Sequence, residues 1–136
     1  MIRVFLVDDQ TLVRQGIRSL LALAEGIEVV AEAADGRQAV ERIPEIKPDV
    51  VLMDMRMPAM SGLEALQALG RAGTLPPTII LTTFDDDALV LAGLKAGAKG
   101  YLLKDVSLEQ LVEAIQTVAG GGSLVQPAVT QRLLSG

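Results

Sequence analysis

Four apolar runs in this chain each stop on a polar residue able to do chemistry: Val4-Phe5-Leu6-Val7 on Asp8-Asp9, Val50-Val51-Leu52-Met53 on Asp54, Ile79-Ile80-Leu81 on Thr82-Thr83, and Tyr101-Leu102-Leu103 on Lys104. Three carboxylates, two hydroxyls and one ammonium so placed are the parts needed for phosphoryl transfer onto a carboxylate. Asp54 is the candidate nucleophile, because carboxylates form aspartyl-phosphate intermediates. A dianionic phosphoryl group is repelled by three acids, so the chemistry calls for a hard divalent cation. Mg2+ suits a few carboxylates together with phosphate oxygens and water, and Asp8 and Asp9 would supply its remaining ligands. Lys104 would neutralise one phosphoryl oxygen, and the Thr82 hydroxyl would donate to another.

Each of these residues has a plainer role when taken singly. Asp9 precedes a helical stretch and reads as an N-cap. Asp54 reads equally well as a turn acid, Thr82 and Thr83 as good strand residues, and Lys104 as a solvated charge. Asp8 resists this treatment, since two adjacent acids at the end of a buried strand repel unless a cation joins them. The plainer roles also leave unexplained why four strand ends carry such groups.

The elements that must position these groups follow from periodicity. Short β-branched runs at 2–7, 28–32, 49–53, 78–83 and 99–103 alternate with helical-period stretches at about 10–24, 36–46, 62–72, 87–96 and 107–119. Continuously apolar strands are buried on both faces, which places helices on both sides of a parallel sheet. The expected fold is therefore a single doubly wound (βα)5 parallel sheet of the flavodoxin-like kind, with strand order 2-1-3-4-5. In such sheets ligands bind outside the carboxyl ends of the strands, where neighbouring ends lie about 5 Å apart. Ser61 with Glu64 three residues on, and Ser107 before Leu108-Glu109-Gln110, mark helix starts. Gly97 and Gly120 stand where C-terminal glycines belong. The tail, from Gly120-Gly121-Gly122-Ser123 to Leu134, reads as a flexible turn and a short amphipathic segment.

Composition narrows the function further. The chain has 136 residues, half of them hydrophobic, enough for one core. It has neither cysteine nor histidine, so disulfides, thiolate chemistry, zinc ligation by those residues and histidine-dependent triads are excluded. Its apolar runs are too short for a membrane span or a signal peptide, and we expect a soluble, cytoplasmic protein that does not engage membranes. A net charge of −5 argues against this segment gripping a phosphate backbone itself.

The order Leu6-Val7-Asp8-Asp9, Leu52-Met53-Asp54-Met55-Arg56-Met57-Pro58, Ser61-Gly62, Leu81-Thr82-Thr83, Ala96-Gly97-Ala98 and Gly100-Tyr101-Leu102-Leu103-Lys104 closely resembles the receiver domains of two-component response regulators. The likeness covers about residues 1–120. The run Thr82-Thr83-Phe84-Asp85-Asp86-Asp87 and the close Gly100 to Asp105 resemble the NarL/FixJ (LuxR-type) subfamily. The resemblance implies that Asp54 accepts a phosphoryl group from a phosphohistidine on a sensor histidine kinase. It further implies a Mg2+ site made by Asp8, Asp9, Asp54 and the backbone carbonyl of Arg56, with Lys104 on the phosphate.

Thr82 and Tyr101 match the family's switch pair, whose movement remodels the face made by the fourth helix, fifth strand and fifth helix. On this likeness the chain is a switch that assists its own phosphorylation and dephosphorylation rather than an enzyme with an external substrate. Phosphorylation would control homodimerisation and a C-terminal helix-turn-helix domain. Residues 121–136 resemble the linker toward that domain, which is missing from this chain and through which alone DNA would be engaged. Asp105 stands where many members have a proline preceded by a cis bond. Thr83 is bulkier than the alanine or glycine often found at its position, Arg56 is a long cation two residues past Asp54, and the expectation is that both alter the lifetime of the phosphoryl group.

Other classes fit less well. A haloacid-dehalogenase-like phosphatase wants a second Asp two residues after the first as general acid, and Arg56 is there. A flavin or nucleotide module wants a glycine- or hydroxyl-rich phosphate loop, whereas this first loop is Asp8-Asp9-Gln10. The remaining alternative is a receiver-like interaction module that works without phosphate.

Overall fold

Strand parity builds the two cores. In the computed structural model, Val4, Leu6, Val50, Leu52, Ile79, Leu81 and Leu102 pack on one face of the sheet, and Phe5, Val7, Val51, Met53, Ile80 and Tyr101 on the other. Successive side chains of a strand point to opposite faces, so an unbroken apolar strand must be covered twice. The first face is covered by Leu21 of α1 (Thr11–Leu21) and by Leu111, Ala114, Ile115 and Val118 of α5 (Leu108–Ala119). The second is covered by Ala39 and Ile43 of α2 (Gly36–Ile46), by Ala65, Leu66 and Leu69 of α3 (Gly62–Arg71), and by Val90 of α4 (Asp87–Lys95).

The strands are β1 (Ile2–Val7), β2 (Ile27–Ala33), β3 (Val50–Asp54), β4 (Thr78–Thr82), β5 (Gly100–Leu103) and β6 (Leu124–Val125). They form one parallel sheet in the order β2-β1-β3-β4-β5-β6. The expected flavodoxin-like order is present, extended by a sixth strand from the stretch read as a linker. Leu124 and Val125 pair with Gly100 and Tyr101 on the open edge of β5. A strand of two residues carries no readable periodicity, so it exists only because an unpaired edge awaits it.

The register brings the strand ends level. Val7 pairs with Met53, Asp54 with Leu81, and Thr82 with Leu103. The structure describes residues 1–83 and 87–125, with 130, 131 and 134. Phe84, Asp85 and Asp86 of the subfamily-like run, and most of the segment after Val125, lie outside the described residues. Among the described residues no peptide is cis, and no helix is long and apolar enough to cross a membrane.

Helix punctuation follows the sequence at α3 and α5. Ser61 and Ser107 each accept a backbone N–H three residues on, and Glu64 and Gln110 reciprocate. Two details refine this punctuation. The residue before α1 is Gln10, not Asp9, and it makes no side-chain cap; the Gln10 amide donates instead to Asp8 Oδ1 at 2.8 Å. After α5, Gly120 keeps φ −82° while Gly121 takes the left-handed φ of +95°. The chain therefore reverses one residue later than the first glycine suggests.

Candidate functional site

The strand ends β1, β3, β4 and β5 deliver the predicted groups to one edge. Asp8, Asp9 and Asp54 each offer a carboxylate oxygen, and these oxygens lie within 4.8 Å of one another. Lys104 Nζ stands 3.1 Å from Asp8 Oδ2 and 3.3 Å from Asp54 Oδ2. Asp8, Asp54 and Lys104 continue the parity of Leu6, Leu52 and Leu102, which face α1 and α5. Asp8 and Asp54 are buried, and Asp9 is exposed at the rim.

Local contacts explain why the backbone turns as it does. The Asp8 amide donates to the Ala33 carbonyl at 3.1 Å, which keeps β1 paired with β2 to its last residue. Past Asp54, the Gly62 amide donates to the Met55 carbonyl at 3.0 Å, folding the β3–α3 loop back against the end of β3. A Cβ on Gly62 would lie 2.2 Å from the Asp54 carbonyl oxygen, so this close approach requires glycine. The Lys104 amide donates to the Thr82 carbonyl at 2.8 Å, holding the lysine level with the end of β4.

Burial, the largest influence, raises the Asp54 carboxyl above its usual range. The Lys104 charge opposes this, the Asp8 charge reinforces it, and a hydrogen bond from the Arg56 backbone amide opposes it; the net direction is upward. Lys104 is raised as well: burial pulls its ammonium down, but its contacts with Asp8 and Asp54 outweigh that. Three carboxylates against one ammonium leave the cluster short of positive charge. A compact all-oxygen donor set with excess negative charge is the chemistry that fits Mg2+.

Thr82 and Tyr101 occupy the opposite parity. Thr82 is buried at the end of β4 two residues beyond Ile80, and Tyr101, paired with Ile80, is only 1% exposed in the core beneath α4. Two open clefts flank the acids. One, of about 340 Å³, is lined by Thr82, Thr83, Leu103, Lys104 and Asp105. The other, of about 440 Å³, runs from Asp9 along Arg56 and Met57 to Leu89. Asp8, Asp9, Asp54, Arg56, Thr82, Thr83 and Lys104 thus lie at this edge, and Tyr101 lies beneath it.

Sequence reasoning passed over Arg14 and Glu32. Arg14 Nη1 donates to the Asp8 carbonyl at 2.5 Å, and its Nε lies 3.4 Å from Glu32 Oε1. The available signal was the acid itself, since Glu32 interrupts the apolar run Val29-Val30-Ala31 of β2.

The comparisons with known proteins agree with this geometry. The family described as response regulator receiver domain matches residues 4–116. The chain is 42% identical over 135 residues to the transcriptional regulatory protein LnrK of Bacillus subtilis, covering 99% of this chain and 61% of that protein. It is 47% identical over 131 residues to the nitrate/nitrite response regulator protein NarP of Escherichia coli, covering 96% and 61%. A crystal structure of a LuxR-family two-component response regulator from an Aurantimonas species superposes with a TM-score of 0.92 at 34% identity, covering 99% of this chain and 96% of that one. The chain thus spans about three-fifths of the length of the curated relatives it matches. Acids, lysine, hydroxyl and aromatic ring stand at the strand ends of a matching fold, and the chain belongs to the response regulator receiver domains, among the NarL/LuxR-type members.

Proposed function

We propose that this chain is the phosphorylation-controlled input domain of a cytoplasmic transcriptional response regulator, with Asp54 as phosphoacceptor. The observation that carries the reading is the meeting of three carboxylate oxygens within 4.8 Å, beside an ammonium that touches two of them.

Asp54 attacks the phosphorus of a phosphohistidine on a sensor kinase. An Asp54 oxygen forms the new P–O bond as the P–N bond breaks, and the electron pair leaves with the imidazole nitrogen, which takes up a proton. Burial leaves the ionised Asp54 poorly hydrated, so its charge is readily shared with phosphorus. Asp8, Asp9, Asp54 and the Arg56 carbonyl would hold Mg2+, which supplies the positive charge that lets an anionic donor approach the acids. Lys104 releases its contact with Asp54 to pair with a phosphoryl oxygen. The Thr82 hydroxyl donates to another, and its movement is read by Tyr101 beneath α4. Phosphorylation adds charge to a packed edge and so would bias the α4-β5-α5 face toward a second arrangement. That face would control homodimerisation and a C-terminal DNA-binding domain.

The test is incubation with Mg2+ and acetyl phosphate or phosphoramidate followed by intact mass, beside Asp54→Asn. A single Mg2+-dependent phosphate adduct on the wild type, absent from the variant, is expected. A folded, Mg2+-binding chain that takes no phosphate would overturn this reading in favour of a phosphate-independent interaction module.

A further inference from the structure

The turn that presents Asp8 and Asp9 is tied down by a side chain from α1. Arg14 reaches back toward the strand end: Nη1 donates to the Asp8 carbonyl at 2.5 Å, and Nη2 lies 3.4 Å from Thr11 Oγ1. Its Nε is 3.4 Å from Glu32 Oε1 on β2, and the Arg14 side chain is only 16% exposed. The guanidinium therefore joins three elements: the β1–α1 turn, the first turn of α1 and the end of β2.

The need for such a tie is visible in the turn itself. Gln10 provides no side-chain cap for α1, unlike Ser61 and Ser107 at α3 and α5. Both Asp8 carboxylate oxygens already have duties, Oδ1 accepting from the Gln10 amide and Oδ2 meeting Lys104. The exposed Asp9 depends on the backbone of this turn to face Asp54. A planar guanidinium with several fixed donors suits a carbonyl and a carboxylate at once, which an ammonium on a flexible stem serves less well.

We propose that Arg14, oriented by Glu32, is a positioning residue for the Asp8–Asp9 pair and sets the divalent-cation affinity of the site. Groups that orient metal-binding carboxylates commonly govern affinity without touching the ion. The proposal rests on the phosphoacceptor reading above. Arg18 provides an internal comparison: it pairs with Glu32 too, but from one turn further along α1 and with 59% of its side chain exposed.

The experiment is calorimetric titration of Mg2+ into the full chain for the wild type, Arg14→Gln, Arg14→Lys, Arg18→Gln and Asp8→Asn, with urea unfolding of each. Arg14→Gln is expected to raise the Mg2+ Kd about tenfold, Arg14→Lys to recover part of that loss, and Arg18→Gln to leave the Kd unchanged. Wild-type affinity in Arg14→Gln would overturn the proposal, and so would an equal weakening by Arg18→Gln, which would mark a general structural effect. Should Arg14→Gln not fold, Glu32→Gln leaves the arginine present but removes the carboxylate charge that orients it; it must weaken Mg2+ binding for the proposal to stand. A wild type showing no Mg2+ binding sensitive to Asp8→Asn would sink the phosphoacceptor reading and this proposal together. A flat Arg14 series on a Mg2+-binding wild type would sink this proposal alone.

Discussion

Lys104 Nζ lies 3.3 Å from Asp54 Oδ2, so the end of β5 is joined to the end of β3 across the intervening β4. The same nitrogen reaches Asp8 at the end of β1. One cation thus links three strand ends and keeps two buried acids apart from open repulsion.

Replacing Asp54 by Asn should stabilise the metal-free domain as well as abolish phosphorylation. An acid raised in the folded state costs stability when ionised. The cost is absent below its ordinary value of 3.8 and complete once pH exceeds the raised folded value. Thermal unfolding in EDTA should therefore show Asp54→Asn above wild type at neutral pH by on the order of 1 kcal/mol. The gap should close as pH falls below the ordinary carboxylate range. A variant less stable than wild type at pH 7 would contradict the assigned burial cost.

Loss of the Lys104 ammonium should act in the opposite direction. A lysine with a raised folded pKa contributes stability that is full below 10.5 and disappears as pH rises through the folded value. With a side chain 20% exposed, its pairing falls between surface and buried ion pairs, and Lys104→Ala should cost about 1–2 kcal/mol at neutral pH. Urea unfolding at pH 7 and again above pH 11 would check this, since the difference must shrink at the higher pH. Phosphorylation by acetyl phosphate should also slow markedly.

Gly62→Ala should damage both stability and the site. The new Cβ would lie 2.2 Å from the Asp54 carbonyl oxygen and 2.9 Å from the Met55 Cα, both backbone atoms that cannot swing aside. The β3–α3 loop must lift, at about 1–3 kcal/mol. The rate of phosphate incorporation should fall with it, whereas full activity with wild-type stability would show that the loop gives way freely.

Ser107→Ala separates stability from chemistry. It removes the side-chain half of the α5 capping box and should cost about 1 kcal/mol. The helix start lies beyond Lys104 and touches none of the acids, so the extent of phosphorylation at saturating donor should match wild type. Mass spectrometry beside a denaturation curve would reveal any departure.

Much of this was legible without coordinates because it is written in short-range patterns. Apolar runs ending on Asp8-Asp9, Asp54, Thr82 and Lys104 reveal both the parallel sheet and its reactive edge, since strand burial and strand termination are local properties. The capping boxes at Ser61 and Ser107 are equally local. Propensity alone gives Asp9 an N-cap role as readily as a place among the acids, and cannot tell which of two adjacent acids turns toward the helix; in the structure Gln10 stands before α1 and its amide donates to Asp8.

What the sequence alone determined is which groups stand at strand ends and that these ends share an edge. Tertiary structure decided the rest: that Lys104 bridges two acids, that Tyr101 lies on the α4 side while Asp8 and Asp54 continue the parity of the opposite face, that Leu124–Val125 pairs with the edge of β5, and that Arg14 and Glu32 brace the Asp8–Asp9 turn. These are contacts between residues distant in the chain. Their geometry depends on register and helix docking, which no local pattern encodes.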